Sequence, residues 1–363
     1  MVQLLLARYR RRATALAACV VLLAGTVAAL GKKEKPAPVP APPDLLLEGN
    51  RKLSFVESFS SERETRGKPG FFGKLLDLVA GEPNYHRMVR PYGVAVDSRG
   101  RVIVTDPGAE GIHIFDFAEH KYKFIERRDK GKNPMRQPQC VAVDASDNIY
   151  VTDSESGYIF VFDSHGGFRR TIGSLKGGEG FFKRPTGIAV DSDAGRIYVT
   201  DTLRDKIFVL GMDGSVLRTI GDHGTKPGEL YYPTELRLTK AGLIAVDAMN
   251  FRVQLLSFDG VAQSAIGSIG DRVGSMFRPK GISVDSEGHI YVVDGLWGVV
   301  QIFDRQGELL YYFGQRGSQL GEFQLPSGLF IDKNDRIYIA DSYNGRVQVF
   351  QYYGISRVEG AKK

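Results

Sequence analysis

Arg278-Pro279-Lys280-Gly281-Ile282-Ser283-Val284-Asp285-Ser286-Glu287-Gly288-His289-Ile290-Tyr291-Val292-Val293-Asp294 reads as two short strands joined by a turn. Residues 282–284 form the first. Residues 285–288 have the composition of a tight hairpin turn. Residues 290–293 are β-branched or aromatic throughout, as a second strand requires. The pattern recurs. A proline opens each unit, at Pro91, Pro138, Pro185, Pro233, Pro279 and Pro326. An aspartate ends each second strand, at Asp106, Asp153, Asp201, Asp247, Asp294 and Asp341. Successive aspartates are 47, 48, 46, 47 and 47 residues apart. A period this regular, filled with short strands, is one blade of a β-propeller per repeat.

The rest of the unit supplies two more strands. Val299-Val-Gln-Ile-Phe303 is the third, and Glu308-Leu-Leu-Tyr-Tyr-Phe313 follows another turn as the fourth. A glycine-containing linker, residues 314–321, leads to the next proline. No segment of the unit shows a long 3.6-residue apolar period, so the repeats are expected to be all-β. The units fall near residues 90–116, 137–163, 184–210, 232–258, 278–304 and 325–351, which predicts a six-bladed β-propeller.

Asp247-Ala-Met-Asn250-Phe-Arg252-Val-Gln254 and Asp341-Ser-Tyr-Asn344-Gly-Arg346-Val-Gln348 resemble the NHL-repeat family of six-bladed propellers. The openings Arg90-Pro-Tyr-Gly-Val-Ala-Val-Asp97 and Arg184-Pro-Thr-Gly-Ile-Ala-Val-Asp191 fit the same family. The resemblance covers about residues 52–350. It implies a closed toroid and usually a binding role, and it names no ligand.

An open row of blades would leave unpaired sheet edges, so the ring must close. Little strand material follows Phe350, whereas Lys52-Leu-Ser-Phe-Val-Glu-Ser-Phe59 has alternating apolar residues. Residues 52–59 are therefore expected to form the outer strand of the sixth blade. The propeller then spans 52–354, with 355–363 as a tail. An insertion at about 73–88 lengthens the first linker, and residues 74–79 have the composition of one short helix.

The chain of 363 residues has a formal net charge of +6. Residues 1–35 carry seven basic residues against Glu34, so that segment holds the whole excess and the remainder is neutral. A phosphate-binding surface spread over the propeller is not expected, and nucleic acid is not an expected partner. Residues 1–30 have the pattern of an export signal or membrane anchor: Arg8, Arg10, Arg11 and Arg12 precede an apolar run over 13–30. Cleavage after the small residues at 27–29, retention as an anchor, and lipidation at Cys19 all stay open. Residues 31–51 include Pro36-Ala-Pro-Val-Pro-Ala-Pro-Pro43, a semi-rigid tether. The expected location is extracytoplasmic, in the periplasm or envelope, with the N-terminal segment touching the membrane and the propeller monomeric. Cys140, the only cysteine outside the signal, has no internal disulfide partner.

No metal site or cofactor is expected. The histidines inside the repeats, His113, His120, His165, His223 and His289, fall at different offsets and read as scattered surface residues. Asp191-Ser-Asp193 opens like a calcium loop, but Thr202 stands where a bidentate glutamate belongs, so a hairpin turn is expected. Phosphate loops and Gly-x-Ser-x-Gly elbows are absent from the sequence. The recurring aspartates read as scaffold, with Asp247 meeting Arg252 and Asp341 meeting Arg346 in pairs worth about 0–1 kcal/mol if exposed.

Positions that break the repeat carry the functional expectation. Gly93, Gly187, Gly281 and Gly328 share one first-strand position, where blade four has Glu235. Two residues on, Ala95, Ala142 and Ala189 are small, but blade four has Arg237. The two share a strand face, as either a self-satisfied ion pair or a ligand-facing pair at the channel mouth. Trp297, the only tryptophan, lies in a loop where sister blades have Asn250 and Asn344, and blade three has Arg204. The six are expected to share one end of the disc. The function expected is an exported, membrane-proximal scaffold binding a protein or peptide through that face. The alternative is a lyase or hydrolase acting at the axial mouth.

Overall fold

The structure, a computed structural model, describes residues 40–66, 85–126, 135–175, 180–270 and 272–354. The export segment with Cys19, the helix expected at 74–79 and the tail lie outside the described residues. Among the described residues no helix is long and apolar enough to cross a membrane. From Ala41 the chain belongs to one compact unit.

Six antiparallel sheets form the blades. Blade four, for example, runs Pro233–Thr239, Gly242–Asp247, Arg252–Leu256 and Ala262–Ile266 in spatial order. Second and third strands are almost wholly buried because both their faces meet neighbouring blades, which explains their unbroken apolar runs. Fourth strands at the rim are mostly exposed or half-buried, as in Val216–Ile220, where only Ile220 is buried. The core therefore lies between blades. One such layer joins Tyr150, Ile159 and Val161 of blade two to Ile188, Val199 and Phe208 of blade three.

Blade six carries the closure. Its strands Leu329–Ile331, Arg336–Asp341 and Arg346–Tyr353 are completed by Lys52–Phe59, which pairs with the last from Lys52 opposite Tyr353 to Phe59 opposite Val347. A further short strand, Leu45–Leu46, adds outside it. Residues 45–51, which follow the proline run, are thus part of the propeller. Leu47 is buried, and Arg51 Nε lies 2.9 Å from Glu287 Oε2.

The repeated aspartates are buried hubs, so the small value that applies to exposed pairs does not apply to them. Asp247 meets Arg252 Nε at 2.8 Å and Asp341 meets Arg346 Nε at 2.7 Å, but both carboxylates are fully buried. Each repeated aspartate also accepts backbone N–H groups just before the blade's proline, or just before the residue flanking it. Asp106 takes those of Val89 at 2.6 Å and Arg90 at 3.0 Å; Asp201 takes that of Arg184 at 2.8 Å; Asp294 takes that of Arg278 at 3.2 Å. This clasp ties the end of strand two to the start of strand one. At Asp106, burial pushes the carboxyl up, but His113 and the two amides outweigh it and hold it below its ordinary value.

The expectation of scattered surface histidines fails at His113, which is 1% exposed and lies 3.3 Å from Asp106. Gln254 and Gln348 do the same task in blades four and six, at 3.0 and 3.2 Å from their aspartates. The Asp191 stretch is a hairpin turn: Asp191 pairs with Arg196 and accepts the amide of Ala194 at 2.9 Å.

At the axis the blades nearly touch. A Cβ on Gly93 would sit 2.5 Å from the carbonyl oxygen of Gln139, one on Gly281 2.4 Å from that of Ser327, and one on Gly328 2.3 Å from that of Tyr92. Glycine at this position therefore lets each blade's inner strand lie against the next.

Candidate functional site

In an up-and-down blade the start of strand one, the loop after strand two and the linker between blades all lie at one end. A cavity of about 200 Å³ opens there at the axis, lined among others by Arg90, Tyr92, Gln137, Gln139, Arg278 and Lys280. Arg90, Arg184 and Arg278 each precede the proline of blades one, three and five, and each is exposed. The aspartate clasps fix their backbones at the rim. In blades two, four and six the same position holds Gln137, Tyr232 and Leu325. Of these arginines Arg90 and Arg278 line the cavity and Arg184 does not, and no carboxylate lines it.

Lys280 is half-buried. Its Nζ donates to Tyr92 Oη at 3.4 Å and lies 5.5 Å from the Tyr92 ring centroid. Burial, and then the charge of nearby Arg278, push its ammonium down to about 8. Burial, together with Cys140 and Glu235, pushes the Tyr92 phenol up.

Deeper along the axis sits the Glu235 cluster. Glu235 is 3% exposed. Its carboxylate accepts from Arg237 Nη1 at 2.5 Å and from Cys140 Sγ at 3.0 Å. Arg237 Nη2 donates to the Leu329 carbonyl of blade six at 3.0 Å, while its Nε is buried without a partner. Blades two, four and six are therefore tied across the channel. Burial, then the charge of Glu235, raise the Cys140 thiol well above its ordinary range.

The other expected residues are spread over the same end. Trp297 is 38% exposed and lines a groove of about 410 Å³ with Ile269, Phe277, Leu296 and Arg316. Asn250 and Asn344 are engaged in their own blades, each donating to its aspartate at 2.8 Å and to a linker carbonyl at 2.9 Å. Arg204 lies 3.1 Å from Asp201 and stacks over Phe181 and Phe208. Among the described residues no group of three or more His, Cys, Asp or Glu side chains is placed to hold a metal ion.

The axial cations were missed by reasoning from net charge. The signal was present: arginine precedes proline in alternate repeats, and Lys280 follows the proline of the fifth.

The NHL repeat model matches residues 135–162, 182–208 and 323–350, which are blades two, three and six. The chain is an NHL-repeat six-bladed β-propeller. Its fold is similar to that of a gluconolactonase of Xanthomonas campestris, at 16% identity and a TM-score of 0.57, covering 86% of this chain and 99% of that one. A streptogramin B lyase matches at 17% identity and a TM-score of 0.54, covering 73% and 94%. An auxiliary nutrient binding protein of Bacteroides thetaiotaomicron matches at 14% identity and a TM-score of 0.54, covering 74% and 70%. These likenesses concern the fold. No curated protein matches the chain.

Proposed function

We propose that this chain is an exported scaffold, held near a membrane by its N-terminal segment, that binds a protein or peptide partner through the end of the propeller carrying Trp297. One observation carries the binding surface. Val89, Leu203, Met249, Ile269, Phe277, Trp297 and Tyr343 are all exposed large apolar side chains in loops or linkers of that end. Such a gathering marks an interaction surface rather than chance exposure. The turns of the opposite end are built mainly from aspartate, serine, glycine and asparagine.

A photo-crosslinking side chain placed at Trp297 in the full-length chain, in intact envelopes, should capture a partner. The same probe at Lys333, exposed in a turn of the opposite end, should not. Trp297→Ala should weaken that complex by about 10-fold or more, as for a centrally placed aromatic anchor. Equal adducts from both positions, or none from Trp297, would overturn the surface.

Export is tested separately. Alkaline phosphatase fused after Lys363 should be active, because residues 1–30 would carry the propeller out of the cytoplasm. An inactive phosphatase, with a cytoplasmic reporter active at the same point, would sink it.

The catalytic alternative has less support. Cys140 is kept protonated by its surroundings and Glu235 is neutralised by Arg237, which leaves Lys280 as the mouth's one group with a shifted proton affinity suited to transfer.

A further inference from the structure

We propose that the axial mouth is a binding site for a small ligand bearing carboxylate or phosphate oxygens, held by Arg90, Arg278 and Lys280. This deepens the binding reading above, since it names the chemistry recognised at the centre of the same end of the disc.

Among the described residues none pairs with these three cations, whereas Arg204, Arg237, Arg252 and Arg346 each pair with a carboxylate. Like charges gathered at one rim repel one another, and half-buried Lys280 also loses hydration, which costs stability. The fold does not require them. Blades two, four and six place Gln137, Tyr232 and Leu325 before the same proline, and Asp153 clasps the Gln137 amide at 2.9 Å as Asp201 clasps that of Arg184. Arginine at alternate blades is thus an addition to the scaffold.

The lining matches an oxyanion. Arg90 of blade one and Arg278 of blade five bring two guanidinium groups to the cavity, with planar donor pairs suited to carboxylate or phosphate edges. Gln137 and Gln139 offer amide donors, and Lys280 offers a point charge. No carboxylate is among the residues lining the cavity, and Glu235 is paired with Arg237. The cavity of about 200 Å³ is below the range of drug-sized sites, which limits the occupant to a compact group such as a tricarboxylate or a phosphate. Beyond residue 35 the chain has no net positive charge, so the cations form a focused site without the broad basic surface of a nucleic-acid binder.

The test is calorimetric titration of the full-length chain in detergent with citrate, with inorganic phosphate and with a single-stranded oligonucleotide. Citrate or phosphate should bind saturably, one per chain. Preference for citrate identifies a carboxylate source and preference for phosphate a phosphate source. The variant Arg90→Ala/Arg278→Ala should lose at least about 10-fold in affinity with its melting temperature held or raised, and Lys280→Met should lose a comparable factor. Because a bound anion restores the charged form of Lys280, binding at about pH 8.5, where citrate and phosphate are themselves almost fully in their more ionised forms, should take up more than about half a proton. Lys280→Met should abolish that uptake. No saturable binding, unchanged affinity in the variants, or an oligonucleotide binding more tightly than either small anion would overturn the proposal. Crosslinking from Trp297 is independent: intact crosslinking without anion binding overturns this inference alone, and the reverse overturns the partner surface alone.

Discussion

A chain lacking residues 45–60 is expected to lose cooperative unfolding of the whole ring. Lys52–Phe59 pairs along Arg346–Tyr353 to complete blade six, and its removal exposes the full edge of that strand. The strand also buries apolar weight. Phe59 is almost fully buried and packs edge-on against Phe115 at 4.9 Å and Phe117 at 5.0 Å, both in blade one. Leu53 joins Phe323 and Phe350 in the layer between blades five and six. The strand therefore ties blade six to both its neighbours. Burying side chains of this size contributes about 1.5–3 kcal/mol each, before the lost ladder is counted. The total approaches the 5–15 kcal/mol that typically separates a folded domain from its unfolded chain. Thermal unfolding followed by near-ultraviolet circular dichroism reads this directly. A truncated chain melting as one sharp transition within a few degrees of the full chain would show that closure lies elsewhere. The milder change Phe59→Ala, which keeps the ladder, should cost about 3–5 kcal/mol.

That strand was legible because its information is local: eight alternating residues before the first repeat, and a missing strand after the last. The blade boundaries were legible for the same reason, since a proline and an aspartate punctuate each one. The Asp247–Arg252 and Asp341–Arg346 pairs were readable too, at five residues' separation. Their burial was not, because burial depends on the linker folding over them: Arg252 also donates to the carbonyls of Thr225, Lys226 and Glu229. The role of His113 was hidden because it replaces a glutamine, so chemistry and position pointed in different directions. The axial site was hardest to read. Arg90 and Arg278 are each ordinary in their own repeat, and only closure of the ring brings them to one mouth with Lys280. Net neutrality of the propeller, a sum over the whole surface, gave no warning of a local concentration of charge.

The second large effect is expected at Glu235. Glu235→Gln leaves Arg237 half-buried without its carboxylate, with Nε already unpartnered, and leaves Cys140 Sγ facing an amide. Removing one member of a buried pair costs about 3–5 kcal/mol, chiefly because the remaining charge is uncompensated. The double change Glu235→Gly/Arg237→Ala removes both charges and restores the residues that sister blades carry, so it should cost less than Glu235→Gln alone. It still gives up the Arg237 bond to the Leu329 carbonyl and the packing of two side chains, so it should not be neutral. The axial mouth supplies a second readout. The Glu235 charge favours the ammonium form of Lys280, so Glu235→Gln should lower the pH at which citrate binding begins to take up protons. Chemical denaturation of the two variants, with the Arg237→Ala single change closing the cycle, separates the pair from its context. If Glu235→Gln melts like the parent chain, the carboxylate is not needed to neutralise Arg237 and the cross-channel tie among blades two, four and six is not a stabilising element. If the double change is the more damaging of the two, the cluster is held by packing rather than by charge. In that case Glu235 and Arg237 serve as the plug that closes the floor of the axial cavity.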